Sequence, residues 1–540
     1  MAVSEDAGNL LRSPSKQSHT LLYRQPSLYK PLSTFALQKE KHYQQQYGDM
    51  YFLRLSKLKP EVEEIAAEAW QDFHIAGEDC ERVERVLDVR QGKLCWVAGT
   101  IYMEMPLKPN ILDDISKDHW ISAPPPREKY LSPTGEDLIM LEDNSGRLRL
   151  VGAPLANEML VTGCIVAVMG TENANGDFEV VDIKVPDLPP QAERWQTEDP
   201  ESRRKADVDT DMDVDKPPSK KIAIVSGLGF SGTDADHSLE INLLVEYLLG
   251  EALDPTTQEN VSQISRLIIA GNSIALDNEA VSHDTIGNTR KTQKKYGYDS
   301  SAYNPTPTKH LDDFLASLLP SIPVTLIPGF TDPANVSLPQ QPIHPAMFPQ
   351  ARSYASIPPK AGETAEPGWF DTVTNPWDGE VEGWKVLGTG GQNVDDVFKY
   401  VESEDRLGML EAMCRWRCVA PTAPDTLWSY PFQNDDPFVM DSCPHLFFVG
   451  SQPKFDTAEI EGPDGQTVRL IAVPKFAETG ELVLVDTETL ETSVVRIIVA
   501  CTAVVQHSYQ HSSVAAASAG FFVGSKRLAI ADPILRDALP

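Results

Sequence analysis

The chain has 540 residues, with 47 Lys and Arg against 79 Asp and Glu, so its formal charge is −32 and its pI is near 4.7. At roughly 150 residues per domain, this length predicts about three units, or two large ones with tails. The 41% of hydrophobic residues is enough for real cores. The acidic balance argues against broad binding to duplex DNA, which needs a basic face.

Membrane and secreted classes are also disfavoured by the sequence. The longest uncharged apolar run, Ile497 to Val505, is far shorter than the ~20 residues that a bilayer requires. The opening residues, MAVSEDAGNLLRSPSK, lack the basic-then-apolar pattern of a secretory signal, which predicts an intracellular protein with no membrane contact. The seven cysteines include no CxxC pair and do not suggest a disulfide framework.

The first predicted elements are an arm and a helix. Residues 1–40 are polar and carry no sustained apolar period, which predicts a mostly disordered N-terminal arm. After Pro60, the segment EVEEIAAEAWQDFHI is typical of an amphipathic helix, with acidic residues in its first turn. The predicted apolar stripe of this helix consists of Val62, Ile65, Ala66, Ala69 and Phe73.

A small β-barrel is predicted next, so that residues 41–196 form a helical segment plus a barrel. From about residue 85 the apolar period becomes two, in the runs KLCWVAGTIYMEM, DLIMLEDNSGRLRLVG, MLVTGCIVAVMG and DFEVVDIKV. Asp143 to Gly146 supply a tight turn inside the second run. Several short strands in about 100 residues favour an oligonucleotide/oligosaccharide-binding (OB) barrel. Trp96 and Tyr102 are its obvious strand aromatics, and core packing explains them as well as base stacking does.

An acidic linker is predicted over residues 197–221. Residues 198–215 hold eight acids against three bases and almost no apolar side chains, which predicts a solvated linker or surface loop. Arg203-Arg204-Lys205 and Lys220-Lys221 fit the pattern of a two-part nuclear localisation signal, although basic pairs are also common in exposed loops.

Residues 222–500 change to an alternation of strands and helices. The strands KIAIVSG, RLIIAG and IPVTLIPG are separated by helices around LEINLLVEYLLG and LDDFLASLLP. Strands follow again at HLFFVG, TVRLIAVPKF, ELVLVDTETL and SVVRIIV. The predicted fold class is therefore α/β plus a small β-barrel: an OB-type barrel joined to a two-sheet, helix-covered sandwich with a largely parallel, buried sheet.

The loops at the carboxyl ends of these strands are where an α/β protein places its ligands. Their layout resembles the calcineurin-like metallophosphoesterases, whose loops carry Asp, His and Asn ligands for two metal ions. Here most of those ligands are replaced, and Leu228, Phe330 and Pro453 offer no side-chain donor at all. The candidate degenerate metal-site positions are Ser226, Leu228, Asn272, Phe330, Thr331, Asp332, Ser451 and Pro453.

These replacements predict no catalytic residue, no metal and no cofactor. Asn272 and Asp332 retain oxygens that ligate metals, but capping and turn formation in loops is the more common role of such residues.

A second resemblance rests on longer motifs in the C-terminal part of the chain. These are PGFTDPANVSLPQQPIHPAMFP, TNPW, GTGGQNVDDVFKY, PTAPDTLWSYPF and CPHLFFVGSQPKF. The earlier segments MYFLRLSKLKP, LEDNSGRLRLVG and LVTGCIVAVMG fit in the same order. From about residue 40 to about 495 the chain resembles the small accessory (B) subunits of eukaryotic DNA polymerase delta.

The resemblance implies a noncatalytic scaffold, in which an OB domain is joined to an inactivated phosphoesterase-like domain. It implies that the chain holds the cysteine-rich C-terminal module of the catalytic subunit and the third polymerase subunit, in the nucleus, during DNA replication and repair. It also implies an indirect link to the sliding clamp and to DNA. The alternatives are a B subunit of polymerase alpha or epsilon, an active metallophosphoesterase and a stand-alone single-strand binder.

Two remaining segments carry weaker signals. The loop PTAPDTLWSYPF presents Trp428, Tyr430 and Phe432, which predict either a partner-docking anchor or a brace for the sandwich. Residues 501–540 resemble no ending of the family and are an atypical C-terminal tail. Cys414 and Cys418 are four residues apart, and buried structural thiols explain them better than a metal site does, because no second ligand pair has zinc-like spacing.

Overall fold

The computed structural model describes residues 22–38, 47–75, 77–109, 127–195, 220–232, 238–251, 254–275, 304–356 and 368–497. The predicted tail at 501–540 therefore lies outside the described residues, as does the predicted linker up to residue 219. Across the part of the chain that is described, no helix is long and apolar enough to cross a bilayer.

Residues 22–38 form an extended segment, here called the N-terminal strap, that lies against the C-terminal half of the chain. Its strand β1 (Tyr29–Pro31) pairs antiparallel with the strand Trp377–Val381. The Tyr29 hydroxyl donates to Asp371 at 2.6 Å, and the Arg266 guanidinium stacks on the Tyr29 ring at 3.7 Å. The prediction of a disordered arm is wrong for these residues. They are ordered by contacts with distant parts of the chain, and such contacts produce no apolar period in the local sequence.

Helix α1 (Gly48–Ala69) begins well before its predicted start after Pro60, and Pro60 lies inside it. Val62 and Ala66 are buried as predicted, whereas Ala69 and Phe73 are exposed. The observed stripe follows every fourth residue: Met50, Arg54, Leu58, Val62 and Ala66. An arginine in the middle of this stripe hides the period from a search for apolar residues alone.

A closed barrel follows the helix. The short hairpin β2 (His74–Ile75) and β3 (Glu78–Asp79) precedes it. Its strands are β4 (Glu81–Arg82), β5 (Leu94–Glu104), β6 (Leu138–Glu142), β7 (Arg147–Val151), β8 (Ile165–Glu172) and β9 (Phe178–Lys184), with a 3₁₀ turn at Val86–Asp88 and helix α2 (Pro154–Asn157) between them. The spatial order is β4-β5-β6-β7-β9-β8, and pairing of β5 with β8 closes it. The predicted small barrel is confirmed.

The predicted turn between β6 and β7 is confirmed, and one carboxylate builds it. Asp143 Oδ1 accepts from the backbone N–H groups of Ser145 at 2.7 Å and Gly146 at 3.1 Å. Its other oxygen, Oδ2, accepts from the Val86 N–H at 2.9 Å, which ties the hairpin to the 3₁₀ turn. This local side-chain bonding is the reason that Asp favours such turns.

The two ends of the acidic segment are fixed at one place on the C-terminal half. On the near side, Arg194 Nη2 donates to the Thr487 carbonyl at 3.1 Å. On the far side, the Lys220 carbonyl accepts from the Thr487 N–H at 2.9 Å and from its hydroxyl at 2.8 Å. Lys220 Nζ also contacts Glu382 at 3.2 Å. Arg194 and Lys220, which lie on either side of the acidic segment, therefore bond to the same residue.

The C-terminal half contains the alternating strands and helices that were predicted. The first part consists of β10 (Lys221–Val225), α3 (Ser238–Leu249), α4 (Pro255–Ser262), β11 (Ile264–Ala270), α5 (Thr306–Leu318), β12 (Val324–Ile327) and two 3₁₀ turns (Pro345–Met347, Ala351–Tyr354). Next come β13 (Phe370–Thr372), β14 (Trp377–Val381), β15 (Trp384–Thr389), α6 (Gln392–Tyr400) and α7 (Arg406–Arg415). The last are β16 (Leu446–Gln452), β17 (Asp456–Glu461), β18 (Thr467–Pro474), α8 (Phe476–Thr479), β19 (Glu481–Asp486) and β20 (Thr492–Arg496).

Within the described residues, these strands make two six-stranded sheets that face each other. The first has the order β13-β12-β11-β10-β19-β20 and the second β1-β14-β15-β16-β18-β17. The pairs from β10 to β13 and from β15 through β16 to β18 are parallel. The remaining pairs of both sheets are antiparallel. Between the sheets lies one apolar layer that includes Ile224, Ile268, Trp377, Phe448 and Ile471.

Helices cover both sheets, and on the side of the second sheet, where α7 packs on β17 and β18, the barrel joins the same apolar cluster. Helices α3, α4 and α5 pack on the first sheet through a cluster that includes Leu244, Leu315 and Leu326. On the second sheet, a single cluster runs from barrel residues such as Val166 to sheet residues such as Phe447 without a break. Barrel and sandwich therefore share one hydrophobic core.

A buried ion pair crosses the same junction. Arg54 of α1 contacts Asp436 through Nε at 3.0 Å and Nη2 at 2.9 Å, and its Nη1 donates to the Pro421 carbonyl at 2.7 Å. Both side chains are at most 2% exposed. The pair fixes the helix that packs on the barrel to a loop of the sandwich.

Candidate functional site

The loops that the sequence singled out meet at one edge of the sandwich. Ser226 follows β10, Asn272 follows β11, and Thr331 follows β12, while Ser451 lies at the end of β16 in the other sheet. Backbone bonds of 3.0 Å from the Gly227 N–H to the Gly271 carbonyl and from the Gly271 N–H to the Ile327 carbonyl hold the loops of the first sheet together.

Neutral side chains at this edge bond to one another. Ser226 Oγ donates to the Ala270 carbonyl at 2.5 Å and accepts from the Ser451 N–H at 2.7 Å. Asn272 Nδ2 donates to Ser451 Oγ at 2.8 Å, and Asn272 Oδ1 accepts from the N–H and hydroxyl of Thr331 at 3.1 and 3.2 Å. The predicted positions in all four loops are thus joined into one hydrogen-bonded network.

Glycines bring the backbones of these loops into close contact. A Cβ on Gly450 would lie 2.0 Å from the Ala270 carbonyl oxygen, and one on Gly329 would lie 2.2 Å from the Asn272 nitrogen. Gly271 has a φ of +79°, and its Cβ would lie 2.8 Å from the Cα of Gly390. The loops therefore approach each other so closely that a side chain at any of these three positions would collide with a neighbouring backbone.

Asp332 is the one carboxylate among the predicted positions, and it braces two loops. Its Oδ2 accepts from the Gly329 N–H at 2.7 Å and its Oδ1 from the Ile274 N–H at 3.0 Å. Burial raises the pKa of this carboxyl group to about 6, against the backbone donors that favour its charged form. The loop-forming interpretation of Asp332 therefore agrees with its contacts.

The three predicted positions without donors lie in different surroundings. Leu228 is fully buried in the core under the first sheet. Phe330 is 64% exposed, and Pro453 is also exposed. None of the three could ligate a metal, because their side chains offer no oxygen, nitrogen or sulfur.

The donor set at this edge does not fit a two-metal phosphoesterase centre, whose cations require several carboxylates or imidazoles. The hydroxyl and amide groups present are neutral and bond to one another, and Asp332 is held by backbone donors. Among the described residues, no group of three or more His, Cys, Asp and Glu side chains has an arrangement that holds a metal ion.

Sequence reasoning missed a second set of amides that extends the network. Asn375 Oδ1 accepts from the Gly390 N–H at 3.0 Å. Asn375 Nδ2 and Gln392 Nε2 both donate to Gln340 Oε1, at 2.8 and 2.9 Å. These amides belong to the motifs LPQQP, TNPW and GGQN. The motifs could therefore have indicated the residues, but not which of them bond to each other.

The predicted docking aromatics differ in how much surface they offer. Trp428 is 63% exposed, whereas the Phe432 ring contacts Tyr430 and Phe438 edge-on at 5.1 and 5.9 Å. The backbone N–H of Leu338 bonds to the Trp428 carbonyl at 2.8 Å, which fixes the loop. Phe432 thus braces the sandwich, and docking through Trp428 stays a prediction.

The cysteine prediction has an outcome, and a buried histidine lies in the same half of the chain. Cys414 and Cys418 are both buried free thiols, as expected. His445 is buried, with Nδ1 accepting from the Lys385 N–H at 3.1 Å and Nε2 donating to the Ala192 carbonyl at 2.9 Å. Burial lowers the pKa of His445, so it is a neutral hydrogen-bonded residue.

The class of protein follows from comparison with known families. Residues 46–183 match the family described as DNA polymerase delta subunit OB-fold domain, and residues 222–457 match the family of B subunits of DNA polymerase alpha/epsilon. The barrel is thus an OB-fold domain, as predicted, and the two matches together define a B subunit of a replicative DNA polymerase.

Whole-chain relatives narrow the class. The DNA polymerase delta small subunit of Arabidopsis thaliana is 36% identical over 457 residues, which cover 85% of this chain and 92% of the relative. That of Oryza sativa subsp. japonica is 34% identical, with coverages of 85% and 94%. That of Saccharomyces cerevisiae is 34% identical over 498 residues, with coverages of 87% and 93%. The chain belongs to the family of DNA polymerase delta small subunits, accessory subunits of the replicative polymerase, which confirms the resemblance seen in its motifs.

Proposed function

We propose that the chain is a noncatalytic scaffold of the DNA polymerase delta complex. In this role it holds the cysteine-rich C-terminal module of the catalytic subunit and the third polymerase subunit, and so links them indirectly to the sliding clamp and to DNA. The observation that carries the proposal is the closed sheet edge, where neutral side chains and close-packed glycines stand in place of metal ligands. The proposal includes that the sandwich is an inactivated phosphoesterase-like domain.

In this proposal the chain acts by holding its partners in fixed positions, and not by catalysing a reaction. A platform with one continuous core from barrel to sandwich keeps its partners at a fixed spacing. Fixing two modules on one platform raises the effective concentration of each for the other, without new chemistry. The formal charge of −32 supports an indirect link to DNA, because a phosphate backbone is gripped by basic surfaces.

Reconstitution tests the scaffold. The full chain, the catalytic subunit of DNA polymerase delta and the third subunit are co-expressed, and the product is weighed by native mass spectrometry. We expect a complex with equal amounts of the three chains. A chain that stays alone under these conditions would overturn the proposal.

A second measurement separates the scaffold from an active metallophosphoesterase. The purified chain is incubated with Mn²⁺, dialysed, and assayed for bound metal and for hydrolysis of bis(p-nitrophenyl) phosphate. We expect neither stoichiometric metal nor turnover above that of a Ser451→Ala variant. Metal-dependent turnover that this variant loses would contradict the inactivated site.

A docking variant tests the loop. Trp428→Ser removes an exposed ring, and Trp369→Ser, at 38% exposure, is the matched control on another surface. We expect Trp428→Ser alone to weaken assembly with the polymerase subunits, about tenfold if Trp428 is a hot spot of the interface. Equal assembly of both variants would assign the loop to bracing alone.

We also propose that the chain acts in the nucleus during DNA replication and repair. Lys220 bonds to Glu382 and Thr487, so replacing it would disturb the folded structure as well as any nuclear import signal. The clean test replaces Arg203, Arg204 and Lys205 by Ala and follows a fluorescent fusion in cells. Unchanged nuclear accumulation would show that these residues are not the signal.

A further inference from the structure

A cavity of about 240 Å³ opens where helix α1, the barrel and a sandwich loop meet. Its lining contains aromatic rings and carboxylates, and all three parts of the fold contribute to its wall. The residues that carry the argument are Tyr51, Phe52, Tyr102, Glu142, Arg147 and Asp425.

The aromatic rings leave room for a further group. Phe52 is 59% exposed at the rim, although large apolar side chains are usually covered. Burial, and next the charge of Asp425, raise the pKa of Tyr51, so its hydroxyl stays protonated. Among the described residues this hydroxyl has no hydrogen-bond partner that would fix its direction.

The carboxylates of the cavity are only partly used. Glu142 accepts from Arg147 Nε through Oε2 at 3.2 Å, and Asp425 accepts from Lys108 and Tyr400 through Oδ2 at 2.6 and 3.0 Å. No hydrogen bond reaches Glu142 Oε1 or Asp425 Oδ1 from the described part of the chain. Within the described residues, each carboxylate therefore has one oxygen without a hydrogen bond.

The charge of the cavity is negative. Its lining holds the carboxylates of Glu142, Asp143 and Asp425 against the guanidinium of Arg147. Adding Lys108, which pairs with Asp425, still leaves one carboxylate in excess. A cationic ligand is therefore favoured over a neutral or anionic one.

The chain already shows how a guanidinium fits here. The Arg147 guanidinium lies 4.2 Å from the centre of the Tyr102 ring while its Nε bonds to Glu142. Arginine combines a flat face for aromatic stacking with several donors for carboxylates, which lysine does not. The same cavity is lined by two further rings, Tyr51 and Phe52, and by the Asp425 carboxylate.

We propose that this cavity binds an arginine side chain presented by a partner chain, with the guanidinium stacked on Phe52 and bonded to the carboxylates. The inference deepens the proposed scaffold function, because it assigns a specific anchor point to a partner. It makes the junction of barrel and sandwich a docking site for a basic segment.

The test uses the full chain and a small probe. N-acetyl-arginine amide is titrated by saturation-transfer NMR, with N-acetyl-citrulline amide as the uncharged isostere. We expect binding in the millimolar range for the arginine probe and at least tenfold weaker binding for citrulline. Equal binding of the two probes, or no binding of the arginine probe, would overturn the inference.

Variants locate the binding. Phe52→Ala and Glu142→Gln are each expected to weaken the arginine probe fivefold or more, whereas Phe73→Ala, a partly exposed ring outside the cavity, is the matched control. Circular dichroism and the unfolding temperature check that each variant is folded. A loss in the control equal to that in Phe52→Ala would assign the binding to another surface.

Two further outcomes separate the possible occupants. If the probe binds only after residues 110–126 are replaced by a short Gly-Ser linker, the chain's own residues occupy the cavity and the inference fails. Assembly of Phe52→Ala with the polymerase delta subunits distinguishes the two proposals. If Phe52→Ala loses probe binding and also assembles more weakly, both proposals are supported. If it loses probe binding but assembles normally, the anchor role alone is overturned. If the unmodified chain itself fails to assemble, the scaffold proposal is overturned.

Discussion

At the scale of single residues, Arg54 shows how a charge is accommodated in a buried stripe. Its guanidinium is paired with Asp436 and donates to the Pro421 carbonyl. We expect Arg54→Met to destabilise the protein by about 3–5 kcal/mol, because it leaves the Asp436 carboxylate buried without a counter-charge. Urea unfolding of the purified chain measures the loss.

A double-mutant cycle tests this explanation. Asp436→Asn alone should also destabilise the protein, whereas Arg54→Met with Asp436→Asn should cost less than the sum of the two, because neither buried charge remains. Additive losses would mean that packing, and not the ion pair, sets the contribution of Arg54.

The raised pKa of Asp332 predicts that the stability of the folded chain depends on pH. Its folded pKa of about 6 lies above the usual 3.8, so the folded state holds its proton more tightly than the unfolded chain does. Stability contributed by this proton is present at low pH and is lost as the pH rises through 6. Relative to Asp332→Asn, the unmodified chain should therefore lose about 1 kcal/mol between pH 5.3 and 7.5.

Urea unfolding of both chains across this range, which stays above the pI, measures the difference. Since Asn does not titrate, the other carboxylates cancel in the comparison. A difference that stays constant or grows with pH would contradict the raised pKa.

The site was predictable at the level of positions but not of contacts. The sequence indicated which loop residues stand at the sheet edge, because strands and glycines mark where each loop begins. It did not indicate that Asn272 would bond to Ser451, which is 179 residues away in the chain. Such pairs depend on how two sheets face each other, and a single sequence carries no record of that.

At the scale of elements, the segment 197–218 is expected to be dispensable for folding. Arg194 before it and Lys220 after it both bond to Thr487, independently of the segment. Replacing it by about six Gly and Ser residues should raise stability slightly, by about 1 kcal/mol, because a shorter loop loses less entropy on closure. Thermal and urea unfolding of the shortened chain measure this change.

The matched control keeps the length of the segment and replaces its acids by Ser and Gly. If this control behaves as the unmodified chain and the shortened chain unfolds more easily, then the segment makes contacts that the closure argument omits.

Elements with strong local patterns were predicted well, and those ordered from far away were not. The helix predicted around LDDFLASLLP is α5, and its apolar residues, which include Leu311, Phe314 and Leu318, are buried. The early start of α1 was missed because Arg54 interrupts its stripe and Pro60 suggested a boundary. The N-terminal strap was missed because its order comes from pairing with β14, and not from its own composition.

At the scale of the whole molecule, the shared core predicts that barrel and sandwich fold together. The cluster that joins them includes Val166 from the barrel and Phe447 from the second sheet. A fragment of residues 1–208 should therefore expose apolar surface and bind the dye ANS, whereas co-expression with residues 209–540 should restore a soluble complex. Gel filtration and dye fluorescence distinguish the two cases.

An isolated fragment 1–208 with a cooperative unfolding transition and no dye binding would contradict this prediction. It would mean that the barrel has a sufficient core of its own, and that the platform has a hinge where the structure places a continuous interior.

The N-terminal strap also bears on the order of events during synthesis. The Leu28 N–H bonds to Glu382, and the Tyr29 hydroxyl to Asp371, at sequence separations of 354 and 342 residues. A ribosome must translate most of the message before either partner emerges. The N-terminal strap is synthesised first but can dock only late. Until it docks, the β14 edge of the second sheet has unpaired backbone groups that other chains could bind.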